Sequence, residues 1–272
     1  MNEFVVLYIK IFLIVFLLFI ITIFVINKLK KPYLFWYWEG EKKKFINLCY
    51  ETVKKNCSES FNIVTLDNFT IHKWLPDLKK YKKHLDKLMI AQRVDIYRIM
   101  LLEKYGGLYI DADILVLKNP IEIINKLDKY NFVGFGCTGI KCKYGYKQPS
   151  NAIMASRPHT RLMKNILKEQ LHEIQTKDNF EYFDLGKYVI WKYIGDYYHY
   201  ENKYDGTRDK YGNWITNKEI FSDVHIEYDD VDNMLFLEMY NSNLTDEINN
   251  MTYDQLINGN TNFANFYNLA MK

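Results

Sequence analysis

Cysteine is scarce in this sequence, and none of its four copies, Cys49, Cys57, Cys137 and Cys142, forms a Cys-x-x-Cys pair or the spacing of a zinc site. They read either as two short-range bridges or, if the domain faces the cytosol, as reduced thiols. Charge of one sign is also missing. Against 33 acidic residues stand 36 basic ones, a net +3 that points to no polyanionic partner. There is no nucleic-acid motif, no basic aromatic platform, no internal repeat, no low-complexity linker and no coiled-coil heptad. Nucleic acid therefore has nothing to recommend it as a partner.

Apolar residues make up 49% of the 272, enough to bury one large core. One run exceeds what a core needs. Residues 4–26 are nearly continuous Val, Leu, Ile and Phe with Lys10 as the sole charge, and about 20 such residues span a bilayer. The run is too long for a signal peptide, no small-residue cleavage site follows it before Lys28-Leu29-Lys30-Lys31, and it lacks the polar face of a soluble helix. Residues 1–31 are expected to be a single-pass transmembrane anchor with a basic flank, and residues 32–272 one domain with a variable C-terminal part. The lysine flank favours a cytoplasmic domain. Sequons at Asn56, Asn68, Asn243 and Asn250 fit a lumenal one, so both orientations stand.

Past the anchor, residues 32–40 read as an aromatic strand, 45–55 as a helix and 61–67 as a second strand, a β-α-β start. Residues 68–77 connect onward, and Trp74-Leu75-Pro76 is a candidate cap for a site. His72 and His84 belong to no ligand-spaced pair. From 86 to 105, apolar residues recur at helical intervals, and Gly106-Gly107 stop the helix. Leu108-Tyr109-Ile110 and Ile114-Leu115-Val116-Leu117 are short strands flanking Asp111-Ala112-Asp113. Farther on, 121–127 reads as a helix, 131–136 as a strand, 137–149 as a loop, 150–156 as a strand and 160–174 as a helix. The architecture expected is α/β and Rossmann-like.

Ligands of open α/β sheets collect at the carboxyl ends of strands, where Asp111 and Asp113 fall. In extended backbone, side chains two apart share a face, so both carboxylates are expected to address one ligand. Hard oxygens of this kind suit Mg²⁺ or Mn²⁺, and metal-bridged diphosphate is the natural guest. Asp95 and Arg98, three apart on the helix, share a face as well, and a carboxylate beside a guanidinium fork fixes a polyhydroxylated ring directionally. Taken singly, an Asp-x-Asp is a solvated turn, and an Asp/Arg pair is a surface ion pair worth about 0.3 kcal/mol. Their order, with the double glycine between, is far more specific.

Asp-x-x-Arg, a helix, Tyr-Gly-Gly-x-Tyr-x-Asp-x-Asp and a following proline resemble the sugar-nucleotide signature of glycosyltransferase family 32. That grouping holds mannosyltransferases and capsular-polysaccharide-type enzymes and is similar to the catalytic domains of clostridial glucosylating toxins. The resemblance implies a GT-A fold, retention of anomeric configuration and a UDP- or GDP-sugar donor. It assigns Asp95 and Arg98 to the donor sugar, Asp111 to the ribose and metal side, and Asp113 to the metal. Trp38, before Gly40, aligns with the strand-end aromatic that stacks on the nucleobase, although Gly40-Glu41 replaces the family's two glycines. Asn151 falls near donor sugar and acceptor by the same resemblance, or serves as a structural amide at the strand end. For a further C-terminal metal or phosphate ligand, the candidates are His199, Trp214 and His225. Tyrosines between 193 and 211 suit an acceptor groove or an ordinary sheet.

The expected function is thus a membrane-anchored, Mn²⁺- or Mg²⁺-dependent retaining glycosyltransferase acting on a glycan, glycolipid or glycoprotein acceptor. The alternatives are a haloacid-dehalogenase-like phosphatase, with Asp111 as nucleophile, Asp113 as acid/base and Asp229-Asp230 as late ligands, and a membrane-tethered glycan-binding protein without activity. The anchor has a direct test: the full-length chain should stay with membranes through carbonate extraction, and its recovery in the soluble fraction would show the anchor expectation to be wrong.

Overall fold

Alternation of side chains along the strands builds the molecule. In β1 (Tyr33–Tyr37), Leu34 and Trp36 pack on one side of a sheet while Phe35 and Tyr37 pack on the other, so an all-aromatic and aliphatic strand is buried on both faces. β3 (Gly107–Ile110) repeats the pattern, sending Leu108 and Ile110 to the first face and Tyr109 to the second. Each such side chain withdrawn from water contributes about 1.5–3 kcal/mol. The computed structural model describes residues 9–10, 12–17, 30–136, 148–195, 198–200, 202–241 and 244–272.

The six-stranded sheet has the order β2-β1-β3-β6-β5-β7, with β2 at Asn62–Leu66, β5 at Phe132–Gly136, β6 at Pro149–Ser156 and β7 at Tyr198–Tyr200. β2, β1 and β3 run parallel, β6 is antiparallel to both β3 and β5, and β7 is parallel to β5. The first face is covered by helix α1 (Lys44–Cys57), by α5 (Asn262–Met271) and by a small sheet of β4 (Ile114–Val116) with β8 (Phe236–Glu238). The second carries α2 (Ile90–Tyr105), α3 (Arg161–Thr176) and α4 (Lys187–Tyr193). Because β2 and β3 flank β1 on opposite sides, the winding reverses between β1 and β3. Their carboxyl ends open the crevice in which α/β sheets hold ligands.

Gly106 and Gly107 make the turn from α2 into β3. Their φ values are 64° and 102°, and a Cβ on Gly107 would lie 2.3 Å from the carbonyl oxygen of Tyr33, so the register of β1 against β3 requires glycine there. α2 starts later than the periodicity from residue 86 suggests. Met89 is extended, with its N–H donating to Gln92 Oε1 at 3.1 Å, and residues Lys82–Leu85 form a separate short helix. Trp74 does not cap the crevice. It packs edge-on against Tyr33 and Tyr105 at the opposite end of β1 and β3, where apolar rings gain more by burial together. Cys49 and Cys57 are buried free thiols, and Cys137 and Cys142 lie outside the described residues.

The contacts divide the chain into Met1–Pro32 and Tyr33–Lys272. Of the expected anchor, residues 9–10 and 12–17 are helical, with the apolar side chains of Ile9 and of residues 12–17 exposed, and the rest of 4–26 lies outside the described residues. Among the described residues no helix is long and apolar enough to cross a membrane.

Candidate active site

The site grows from α2 and the end of β3. Asp95 and Arg98, one turn apart on α2, point toward the carboxyl end of the sheet, and β3 delivers Asp111 to the same place. Arg98 donates through Nη1 to Asp111 Oδ2 at 3.2 Å and holds Asp111 Oδ1 at 3.1 Å from Nη2, a two-pronged pairing of fork and carboxylate. The same Nη2 is 3.4 Å from Asp95 Oδ1. Arg98 also donates to the carbonyl of Asn151, and its guanidinium lies 4.9 Å from the Tyr109 ring centroid. One cation thus serves two carboxylates, a strand carbonyl and a ring.

Antiparallel pairing explains why Asn151 is there. β6 runs back along β3, the Asp111 N–H donates to Ala152 O at 2.8 Å, and Asn151 Nδ2 donates to Asp95 Oδ1 at 2.7 Å. Buried Gln170 on α3 donates to the backbone carbonyls of Asp95 at 3.1 Å and Leu185 at 2.6 Å, tying α2 to the segment before α4. That segment presents Gly186. A Cβ there would lie 2.5 Å from Asp95 Oδ2 and 2.7 Å from Asn151 Nδ2, so only glycine allows the approach.

Asp111 and Asp113 do not share a face of extended backbone. Residues 111–113 turn between β3 and β4, because β4 leaves the main sheet to pair with β8. The turn points Asp111 at Arg98 and Asp113 at the chain beyond β8. Asp113 O accepts from Met239 N–H at 3.1 Å, and Asp113 Oδ2 accepts from Asn241 N–H at 2.7 Å. Lys43 Nζ donates to Asn241 Oδ1 at 3.1 Å from the loop before α1. Glu238, at the end of β8, is buried with Oε1 3.5 Å from Ser150 Oγ and Oε2 without a hydrogen-bond partner among the described residues.

Negative charge exceeds positive in this space. Burial pushes Asp95 up to about 7, with Arg98 pulling the other way, and burial followed by the neighbouring Asp111 pushes Asp113 up to about 7. Asp111 is also raised by burial, against the pull of Arg98. Burial and the nearby Asp205, Asp113 and Asp111 drive Glu238 well above the usual carboxylate range. Asp205 itself, buried beside Thr207, is pushed up to about 7 by burial. The Asp111 side chain remains 26% exposed and Asp113 is half-buried, whereas Asp95 and Arg98 are 8% and 6% exposed. A ligand therefore meets the Asp111–Asp113 turn first.

A divalent cation fits this donor set on chemical grounds. The oxygens are hard, their charge is under-compensated, and Glu238 Oε2 is a buried orphan nearby. Among the described residues no three His, Cys, Asp or Glu side chains are grouped to hold an ion, so Asp111 and Asp113 would supply two positions and diphosphate or water the others.

The remaining expected residues divide. Trp38 follows β1 at the same sheet edge, half-buried, with its indole N–H donating to Glu41 O at 3.2 Å; no contact joins it to the aspartates. Trp214 stacks on Tyr240 at 5.3 Å and carries Arg208 at 4.6 Å from its ring, one residue from Asn241. His225 is exposed, and the side chain of His199 lies outside the described residues. Of the late ligands that the phosphatase alternative named, Asp229 is exposed and Asp230 accepts from Asn233 Nδ2 in a turn of its own. Glu238, Asn241 and Gly186 were missed. An acid closing the apolar run Phe236-Leu237-Glu238 was the available signal.

A family model described as capsular polysaccharide synthesis protein matches residues 25–267. Among solved structures, PaToxG glycosyltransferase is similar at 17% identity and a TM-score of 0.42, over 60% of this chain and 68% of its own. The glycosyltransferase GlyE of Streptococcus pneumoniae TIGR4 is similar at 12% identity and a TM-score of 0.49, covering 89% of this chain, which spans 61% of GlyE. The apo form of GlyE gives 11% and 0.43 over 65% of this chain and 46% of its own. These likenesses fix no residue's role. No curated protein matches the sequence.

The raised carboxyl of Asp95 gives stability a pH dependence. Between about 4, where the unfolded group ionises, and about 7, the folded protein holds the extra proton, so the contribution of Asp95 falls as pH rises. Urea unfolding of wild type and Asp95→Asn at pH 5 and 7 should show wild type losing on the order of 2 kcal/mol relative to the variant. An unchanged difference would mean that Asp95 stays ionised throughout.

Proposed function

Since the chain belongs to the capsular polysaccharide synthesis protein family, we propose that it is a glycosyltransferase of GT-A type that moves a sugar from a nucleotide-sugar donor to a saccharide-bearing acceptor. The observation that carries this reading is the sharing of Arg98 between Asp95 and Asp111, which joins a sugar-binding pair to a diphosphate-binding turn at one sheet edge. A UDP- or GDP-sugar would lie along that edge, its base at Trp38, its diphosphate at Asp111 and Asp113, and its sugar toward Asp95, Arg98 and Asn151.

Mn²⁺ or Mg²⁺ held by Asp111 and Asp113 would supply Lewis-acid neutralisation of the departing nucleoside diphosphate. The chain's own residues do the positioning. Arg98 fixes the rotamer of Asp111, the Asn241 N–H fixes that of Asp113, and Asn151 orients Asp95. Retention follows from the resemblance to glycosyltransferase family 32. An acceptor hydroxyl attacks the anomeric carbon from the leaving-group face, the bond to the phosphate oxygen breaks, and the hydroxyl proton passes to that oxygen. We also propose that residues 4–26 hold the enzyme at a membrane. The exposed apolar helix at 12–17 supports this, and carbonate extraction tests it.

Three substitutions separate the roles. Asp113→Asn should weaken metal-dependent nucleoside diphosphate binding and lower turnover with every donor, by about 10²-fold or more. Asp95→Ala should lower turnover as far while metal and nucleotide still bind, whereas Arg98→Ala, which also frees Asp111, should lower turnover and weaken metal and nucleotide as well. Calorimetry with UDP or GDP and Mn²⁺, run beside turnover, reads the difference. Equal loss of nucleotide binding in Asp113→Asn and Asp95→Ala would remove Asp95 from the sugar. Release of phosphate from a phosphomonoester without nucleotide-sugar turnover would restore the phosphatase.

A further inference from the structure

Four aromatic residues crowd the segment around Gly186. Tyr182, Phe183 and Tyr188 are 46%, 39% and 47% exposed, and their rings meet edge to face, Tyr182 on Phe183 at 4.9 Å, Phe183 on Tyr188 at 5.8 Å and Tyr188 on Trp191 at 5.3 Å. In their midst stands Lys187, its Nζ 3.4 Å from the Phe183 centroid and 5.4 Å from that of Trp191. No carboxylate comes within ion-pair distance of this ammonium among the described residues. Burial lowers its pKa, and Glu238 is the charge that opposes the shift.

Exposed rings grouped this closely mark a binding surface rather than a core. The surface is also fixed to the candidate active site at two points. Gly186, next to Lys187, touches Asp95 and Asn151, and the Trp191 indole N–H donates to Pro149 O at 2.8 Å, where β6 begins. In the sheet order, β6 and β1 lie on opposite sides of β3. The aromatic cluster therefore flanks the sugar pair on the side away from Trp38, the expected place of the donor base. What approaches the sugar from there is the acceptor.

We propose that Tyr182, Phe183, Lys187, Tyr188 and Trp191 form an acceptor subsite for an anionic saccharide. This rests on the glycosyltransferase reading. Aromatic faces take the apolar C–H faces of pyranose rings, and the half-buried ammonium, lacking a carboxylate partner, takes a carboxylate or phosphate on the saccharide. Neutral sugars would stack without satisfying Lys187.

Binding of three probes to the full-length protein in detergent tests this by calorimetry: a hyaluronan tetrasaccharide, maltose 6′-phosphate and neutral cellotetraose. One or both anionic probes should bind about tenfold tighter than cellotetraose, and which one does identifies the anionic group. Phe183→Ala and Tyr188→Ala should weaken every saccharide about tenfold, with Phe183→Leu in reserve if the alanine variant fails to melt cooperatively. Lys187→Met should erase the preference for the anion and leave cellotetraose binding in place. Equal affinity for all probes, wild-type affinities in the ring variants, or a Lys187→Met loss that falls on UDP instead of the saccharide would each overturn the proposal. Nucleotide-sugar turnover is scored apart. Wild type that binds anionic saccharides here without turning over any donor keeps the subsite and refutes the transferase, and the reverse result keeps the transferase and removes the subsite.

Discussion

The guanidinium of Arg98 is the interaction on which the site depends. Buried on α2, it is compensated by Asp95 within its own helix and by Asp111 at the end of β3, and it binds the Asn151 carbonyl on β6. Taking one such cation from water costs several kcal/mol, and only this ring of acceptors offsets it. The consequence is mutual. A helix, a turn and an antiparallel strand are held in one geometry because each supplies an acceptor that Arg98 requires. Whatever binds to Asp111 is thereby coupled to whatever binds beside Asp95.

Around that cation the fold accumulates carboxylates it does not neutralise. Asp113, Glu238 and Asp205 are all raised by burial, and they come from the turn before β4, from β8 and from the segment before β8. A structure selected for stability alone would pair or replace them. Their retention near an open turn fits a site completed by a positively charged visitor. The glycines serve the same end. Gly106 and Gly107 let β3 leave α2 in register with β1, and Gly186 lets a loop close on Asp95 without a side chain.

Much of this was legible in order along the chain. The helix–Gly-Gly–strand–Asp-x-Asp stretch and the apolar strands marked the parallel sheet and its edge, because period and glycine are local signals. The Asp111–Asp113 geometry was not legible, since the turn exists only because β4 pairs with β8, more than a hundred residues away. Glu238 and Asn241 were hidden for the same reason. Trp74 was misplaced because an aromatic in a connecting segment says nothing about which end of the sheet it covers. The Lys187 surface was missed because its residues acquire meaning only beside Gly186, whose neighbours belong to α2 and β6.

The site rests on Arg98 joining Asp95 on α2 to the Asp111–Asp113 turn at the end of β3. A double-mutant cycle on unfolding free energy, with Arg98→Gln, Asp111→Asn and the pair, measures that link directly. A coupling energy of about 1 kcal/mol or more between the two positions is expected. Additivity within about 0.5 kcal/mol would contradict it.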